Sequence, residues 1–558
     1  MSNLLDRASI LLSPTAVSDD TLHSVKPVRT FGNELITNGG FDADTNWTKF
    51  SNATISDGVV NLPNASAAVR QTGVLENNKN YKITYDVILS SGNNILFTTR
   101  GGTCLTVDLP SSVGTHTVFA RSNSTGGAEF FISVKTSSDS AVVDNVSVKK
   151  VTHADFDFTR ATTATRVNSS SLIESVASGL PRIDFLSGTG HVLMESASTN
   201  TATYSNDFSQ GSNFNSGNRT LSDCVLSTSQ GIAPDGTNTA QKLTDSNNGG
   251  TGAISLNSFG AGLTSDTDST VSMFVKKDTV RYFVIKFVNF DTNQETSFDL
   301  DTGIVNRGTG VMTNYGNGWY RCSATFSTTT DLVGAIQFLI TNSSSSTGGN
   351  LRDGSNSTFV WGYQAEEKSF ASSYIPTTTS AVTRNKDEAG SSGDSSLISS
   401  TEGTIYAEFA ALADEGTTRS ISLSDGTQNN RLLFGPHAAA GGCLVNIKTS
   451  NVLQVSENVV LSTITDFNKV AIRYKANDVV VFRNGELAAS DTSVSLSSAD
   501  TFSSLQFDSG AGFSDFSGKI KCVAVFKEFL DNDELECLTG SGFDSFTALA
   551  EAGSYTII

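Results

Sequence analysis

Tyr81-Lys-Ile-Thr-Tyr-Asp-Val-Ile-Leu89 is the stretch whose reading decides the fold. Tyr81, Ile83, Tyr85, Val87 and Leu89 alternate with Lys82, Thr84, Asp86 and Ile88. A period of two puts successive side chains on opposite faces, so this is a strand with one face buried. The pattern recurs outward in both directions. Phe130-Phe-Ile-Ser-Val134 and Val142-Val-Asp-Asn-Val-Ser-Val148 read as further strands, and Val470, Ile472 and Tyr474 alternate with Ala471, Arg473 and Lys475. Asp57-Gly58 and Asn484-Gly485 are two-residue hairpin signals, because both positions of the favoured turn need positive φ. The chain is read as all-β.

Composition agrees. At 558 residues the chain exceeds what a single core organises, so about three or four domains are expected. Charged residues make up 17%, while 34 Phe and 48 Gly stand among abundant Ser, Thr and Asn, as short strands between turns require. The net charge of −19 argues against a nucleic-acid partner, which needs clustered Lys and Arg. No apolar run reaches membrane-spanning length, so no membrane insertion is expected. Met1-Ser-Asn-Leu-Leu-Asp-Arg7 lacks the basic start and apolar core of a signal peptide, and synthesis in a cytoplasm is expected. Cys104, Cys224, Cys322, Cys443, Cys522 and Cys537 are scattered, with no Cys-x-x-Cys pair and no nearby His to complete a zinc site. They read as buried thiols, with Cys522 and Cys537 the pair nearest in sequence for a disulfide.

Several segments organise the chain. Residues 1–32 form an arm, apolar at Leu4, Leu5, Ile10, Leu11, Leu12, Val17 and Leu22 yet too short for a core, so it needs a partner surface. Residues 33–151 make a first compact unit and 152–192 an extended connector pinned by Phe156, Phe158, Val167, Ile173, Ile183 and Phe185. A second unit spans 193–385, with Tyr315-Gly-Asn-Gly-Trp-Tyr-Arg-Cys322 and Trp361-Gly-Tyr-Gln-Ala-Glu366 among its strands. A Gly/Ser linker, 386–396, leads to a third unit at 397–540. There Asp531 can cap a short helix, with Glu534 three residues on and Gly540 past its end. Residues 541–558 are a tail, with room for a second short helix.

Asp155-Phe-Asp-Phe-Thr-Arg-Ala-Thr-Thr-Ala-Thr-Arg-Val-Asn168, followed by Gly179-Leu-Pro-Arg-Ile-Asp-Phe185, resembles a segment of structural proteins of tailed bacteriophages. The series from Tyr204-Ser-Asn-Asp-Phe208 to Ser373-Tyr-Ile-Pro-Thr377 resembles the sandwich of phage head-spike and fibre proteins. One departure is a missing Trp soon after Tyr204, where Phe214 stands close by. Glu34-Leu-Ile-Thr-Asn-Gly-Gly-Phe-Asp42 with Asp144-Asn-Val-Ser-Val148 resembles a carbohydrate-binding-module jelly roll. The third unit is similar to a concanavalin or laminin-G-like sandwich. The resemblance implies three antiparallel β-sandwiches in series behind an extended N-terminal arm, in a virion fibre or spike on the outside of the particle. It also implies a homotrimer, attachment to other virion proteins through the arm, adhesion to a host-surface glycan through the third unit, and no cofactor. In the framing so implied, the first unit is an insertion between arm and connector.

Site residues are sparse. In jelly rolls of the first unit's type a calcium ion often joins first and last strands, which implies Asp42 and Asp144 as ligands here. Glu366-Glu367 cannot flank one glycosidic bond, because neighbours in a strand face opposite ways. Trp319 and Trp361 read as core rather than as sugar platforms. His23, His116, His153, His191 and His437 are dispersed, and no nucleophile elbow, phosphate loop or His-Glu-x-x-His occurs, so no enzyme is expected. A purely structural decoration of capsid or tail, and a polysaccharide-cleaving enzyme, are the alternatives.

Overall fold

A computed structural model of the chain describes residues 4–13, 17–18, 21–22, 27, 30–76, 79–91, 96–97, 109–122, 129–134, 138–152, 154, 156–209, 219–252, 254–259, 268–288, 294–327, 335–344, 350–437, 441–496 and 501–540. Cys104, His23, His153, Asp155, Phe214 and the tail 541–558 lie outside the described residues. The chain divides into two compact units, residues 26–153 and the remainder, 1–25 with 154–558. The smaller unit pairs a six-stranded antiparallel sheet with a four-stranded one. Asn80–Ser91 runs at the heart of the larger sheet between Gly114–Arg121 and Ser140–Thr152. Tyr81, Ile83, Tyr85 and Val87 are buried as the alternation requires, with Trp47, Val60, Phe130 and Val148 in the same core. The alternation fails at Leu89, which is 63% exposed. There the register slips between Val142 and Val143, and the bulge turns the strand's end over.

The larger unit holds two sandwiches. In the first, two six-stranded sheets enclose Leu243, Val271, Met273, Phe283, Phe298, Phe338 and Tyr363. In the second, a five-stranded sheet covers an eight-stranded one that includes Glu402–Ala411, Asn468–Lys475, Asp478–Arg483 and Gly518–Phe526. Both hairpin signals form as read. Asp57 and Gly58 have φ of 54° and 76°, and Asn484 and Gly485 have 49° and 87°. Helices are confined, among the described residues, to Leu4–Arg7 and Asn532–Thr539. The latter has the full capping box of Asp531 and Glu534, but Gly540 is extended at φ −72°, so no left-handed cap uses the glycine. Cys224, Cys322, Cys443 and Cys522 are buried free thiols, and Cys537 is free as well, so Cys522 and Cys537 are not bridged.

Three connecting segments take a definite place in the fold. The arm, expected to need a partner surface, finds one in its own chain: Ile10–Leu12 pairs antiparallel with Val523–Val525 of the strand Gly518–Phe526. Ile10 and Leu12 enter the main core of the C-terminal sandwich, while Ala8 and Leu11 face Tyr406, Phe526, Leu535 and Leu538 on its other side. Its apolar residues needed burial, and the chain's own last sheet supplies it. The connector is pinned by its apolar residues, and between them it folds into strands. Its hairpin Ala164–Val167 and Ile173–Val176 packs Val167 and Ile173 against Phe274, Trp319, Trp361 and Tyr374. Its next strands, Arg182–Asp184 and His191–Met194, join the C-terminal sheet beside Gly518–Ile520. The Gly/Ser linker is likewise ordered. Glu388–Gly390 pairs with Asp157–Thr159, and buried Ser392 donates to the Ala154 carbonyl at 2.5 Å.

Candidate functional site: a polar cleft beside a buried ion network

The connector is held by charges with no access to water. Arg160, Arg182, Arg384, Glu195 and Asp387 are all buried. Arg160 donates to Asp387 at 2.9 Å, Arg182 bridges Asp387 and Glu195, and Arg384 lies 3.5 Å from Glu195. The remaining donors of Arg160 go to the carbonyls of Thr162, Val176, Ala177 and Leu180, closing the connector's hairpin around one guanidinium. Burial pushes the Glu195 carboxyl up, but Arg384, Arg182 and Ser373 outweigh it and hold it well below the carboxylate range. Removing one member of such a set leaves an uncompensated buried charge.

Above this network lies a cleft of about 600 Å³ within the larger unit, in the size range of small-ligand sites. One wall is the outward face of the C-terminal sheet, with Asp184, His191, Leu193 and Lys519. Strand alternation puts these outside, because their neighbours Ile183, Val192 and Ile520 fill the core. Facing them is the outer side of Trp319–Ser327, whose Arg321, Ser323 and Thr325 alternate with the core residues Cys322 and Ala324. The loop Ser369–Tyr374 closes one end, with Phe370 half-buried.

Ser187, His191 and Asp184 stand in an order that invites comparison with a nucleophile, base and acid. His191 Nδ1 lies 3.1 Å from Ser187 Oγ and 3.3 Å from the Thr189 carbonyl, which can only accept. The proton therefore sits on Nδ1, leaving the Nε2 lone pair 3.7 Å from Asp184 Oδ1, beyond hydrogen-bond reach. Burial, then Lys519, pushes the imidazole pKa down to about 3, so the ring is neutral. Both Asp184 oxygens accept backbone amides, from Val167 and Leu186, and burial raises its pKa. Asp184 and His191 are register partners across one hairpin, so the three residues brace a turn.

The residues expected to hold calcium lie in two segments of the smaller unit. Asp42 is exposed in the loop before Thr48–Phe50, and Asp144 lies opposite Asp86 with its Oδ1 accepting the Asn145 amide at 2.6 Å. Asn145 Nδ2 in turn donates to Asp86 Oδ2 at 2.7 Å. Calcium takes ~6–8 oxygens, and among the described residues no three His, Cys, Asp or Glu converge on one point. Asp42 and Asp144 alone do not make such a shell. Glu366 and Glu367 separate as expected: Glu366 is buried and accepts from Ser198 and Ser372, whereas Glu367 is exposed. Trp319 and Trp361 are core, each donating its indole N–H, to the Ile232 carbonyl and to Thr239 Oγ1. Sequence reasoning missed Arg321, Lys519 and Phe370 as site residues, because they lie apart in the chain and nothing in the stretch Tyr315–Cys322 around Arg321 marks a cleft.

Residues 384–536 match the Laminin_G_3 family, described as the concanavalin A-like lectin/glucanases superfamily. No curated protein matches the chain. Among solved structures the chain is similar to the Ruminococcus gnavus IT-sialidase CBM40 bound to α2,3-sialyllactose, at 19% identity and TM-score 0.23, over 27% of this chain and 94% of that one. It is similar to domain 4 of AbnA, a GH43 arabinanase of Geobacillus stearothermophilus, at 14% and 0.23, over 30% and 80%. A third likeness is the CBM22 tandem of Paenibacillus barcinonensis Xyn10C, at 10% and 0.23, over 62% and 100%. The strand pairings, together with the family match over 384–536, make this an all-β chain whose C-terminal sandwich is of the concanavalin type.

Proposed function

We propose that the chain is a non-enzymatic adhesin of a phage virion, a fibre or spike that presents sandwich surfaces to a host-surface glycan. The observation that carries this reading is the C-terminal sandwich, which matches a lectin and glucanase superfamily over residues 384–536. The virion setting is supported by the phage-like series from Asp155 to Thr377, and a homotrimer goes with that setting. Because Ala8 and Ile10–Ser13 are buried in the chain's own sandwich, that part of the arm is not offered to other virion proteins. A glycan array on the full chain, with immunogold labelling of particles, tests both halves. Retained glycans with labelled virions are expected, whereas an unlabelled particle removes the virion half.

One observation favours a second reading. Trp47, Trp319 and Trp361 are all buried, so no tryptophan platform is offered to a sugar. A structural decoration of capsid or tail needs none. An array without hits on virion-borne protein selects that reading, and release of reducing ends from host polysaccharide would select an enzyme over both.

A further inference from the structure

The cleft holds cations that the fold does not neutralise. Arg321 is buried and donates to Ser272 Oγ and to the Ser372 carbonyl, with no carboxylate at ion-pair distance among the described residues. Lys519, half-buried on the opposite wall, makes no hydrogen bond or ion pair among the described residues. A buried charge without a partner is costly, so its persistence asks what satisfies it. The cleft's own carboxylates do not. Glu195 is committed to Arg182 and Arg384, Asp184 to two backbone amides, and Asp414 stands exposed at the rim. The third cation, Arg166, is taken by Glu174. His191 Nε2 is a second, independent orphan: fully buried, lining the cleft, and without a hydrogen-bond partner among the described residues.

We propose that this cleft is a subsite for an acidic saccharide. The sugar's carboxylate is taken by Arg321 and Lys519, a sugar hydroxyl donates to His191 Nε2, and an apolar ring face lies on Phe370. Hydroxyls of Ser323, Thr325 and Ser369 supply the remaining polar contacts. The inference rests on the glycan-binding reading and names its place and ligand class. It also accounts for how a chain of net charge −19 takes an acidic ligand, through a local site screened from the bulk field.

Titration calorimetry of the full chain with oligogalacturonate, and with cello-oligosaccharide as the neutral control, tests it. Oligogalacturonate is expected to bind, weakening as salt rises, while the neutral oligomer binds at least tenfold more weakly. Lys519→Gln should lower affinity about tenfold, the size of one charge-assisted hydrogen bond. Val311→Glu adds a charge at an exposed position on the rim, where folding is insensitive, and should weaken binding; Val311→Lys should strengthen it. Array hits that are indifferent to all three substitutions would overturn the subsite while leaving the adhesive reading intact. No binding of any acidic or neutral glycan would overturn both.

Discussion

Ile10 and Leu12 offer the sharpest test of how this chain is put together. Both are fully buried in the C-terminal core, although hundreds of residues separate them from the strand they pair with. Truncating a buried Ile or Leu to Ala costs about 2–5 kcal/mol, the transfer loss plus the cavity left behind. These two are neighbours on one face of one strand, so the double variant need not double that figure. A loss of about 3 kcal/mol in the C-terminal sandwich corresponds to about a hundredfold in its opening equilibrium. Hydrogen exchange read by mass spectrometry on peptides from Gly518–Phe526 and Glu402–Ala411 should show that loss of protection for Ile10→Ala, Leu12→Ala and deletion of residues 1–13. Peptides of Asn80–Ser91, in the other unit, should not change. Gly393→Ala attacks the same contact from the other side, because a Cβ there would come within 2.6 Å of Ile10 Cδ1 at φ +78°. Unchanged protection of Gly518–Phe526 after deletion of residues 1–13 would refute the pairing and return the arm to the role of a free attachment segment.

Three other outcomes follow from the same geometry. Asp387→Asn should cost about 3–5 kcal/mol in denaturant unfolding followed by tryptophan fluorescence, because Arg160 and Arg182 lose their shared partner in a water-free site; a cost under about 1 kcal/mol would mean that the network is wet. The His191 imidazole is held down to about 3 in the fold against an ordinary 6.5, so its contribution to stability is fully present above 6.5 and is lost as pH falls toward 3. His191→Gln should therefore flatten the pH dependence of the melting temperature across that window, and an unaltered slope would show that other groups set it. Calcium should leave the melting of the full chain unchanged relative to chelator; a rise abolished by Asp42→Asn would establish the site that two carboxylates alone do not make.

What the sequence disclosed, and what it hid, divides along physical lines. Period-two alternation and positive-φ turn pairs are local, so the strands at Tyr81 and Val470 and the hairpins at Asp57-Gly58 and Asn484-Gly485 could be read directly. The capping box of Asp531 and Glu534 is equally local. Leu89 breaks the alternation because Ile88 is an extra residue in its own strand: Val142 and Val143 are adjacent but pair with Leu89 and Val87, a pairing that the local pattern of side chains does not announce. The connector's evenly spaced apolar residues announced burial, but not that Val167 and Ile173 go to one sandwich and Ile183 and Val192 to another. Nor does an arginine in a Ser/Thr-rich run announce its burial. Arg160 and Arg182 are buried because Asp387 and Glu195 arrive from about 200 residues onward and from the adjoining strand. The cleft was invisible for the same reason: Arg321 and Lys519 share a wall-to-wall space only through tertiary packing.

The placement of the arm also changes how the chain can work. Ile10–Leu12 and His191–Met194 line up along the same edge of Gly518–Phe526, the first beside Val523–Val525 and the second beside Gly518–Ile520. An unpaired edge of that length would be open to pairing with another chain. The unit 26–153 leaves the chain between these two edge strands. It follows that the C-terminal sandwich is not independent but the place where early, middle and late parts of the sequence are tied together. Excision of residues 397–540 removes both edge strands and exposes Val523 and Val525 to water, so the excised piece should aggregate or unfold. Deletion of residues 26–153, with Val25 rejoined to Ala154 through a short Gly/Ser bridge, removes no strand from either sandwich of the larger unit. That shortened chain should retain the protection of Gly518–Phe526, and any glycan binding that it keeps belongs to the larger unit rather than to residues 26–153.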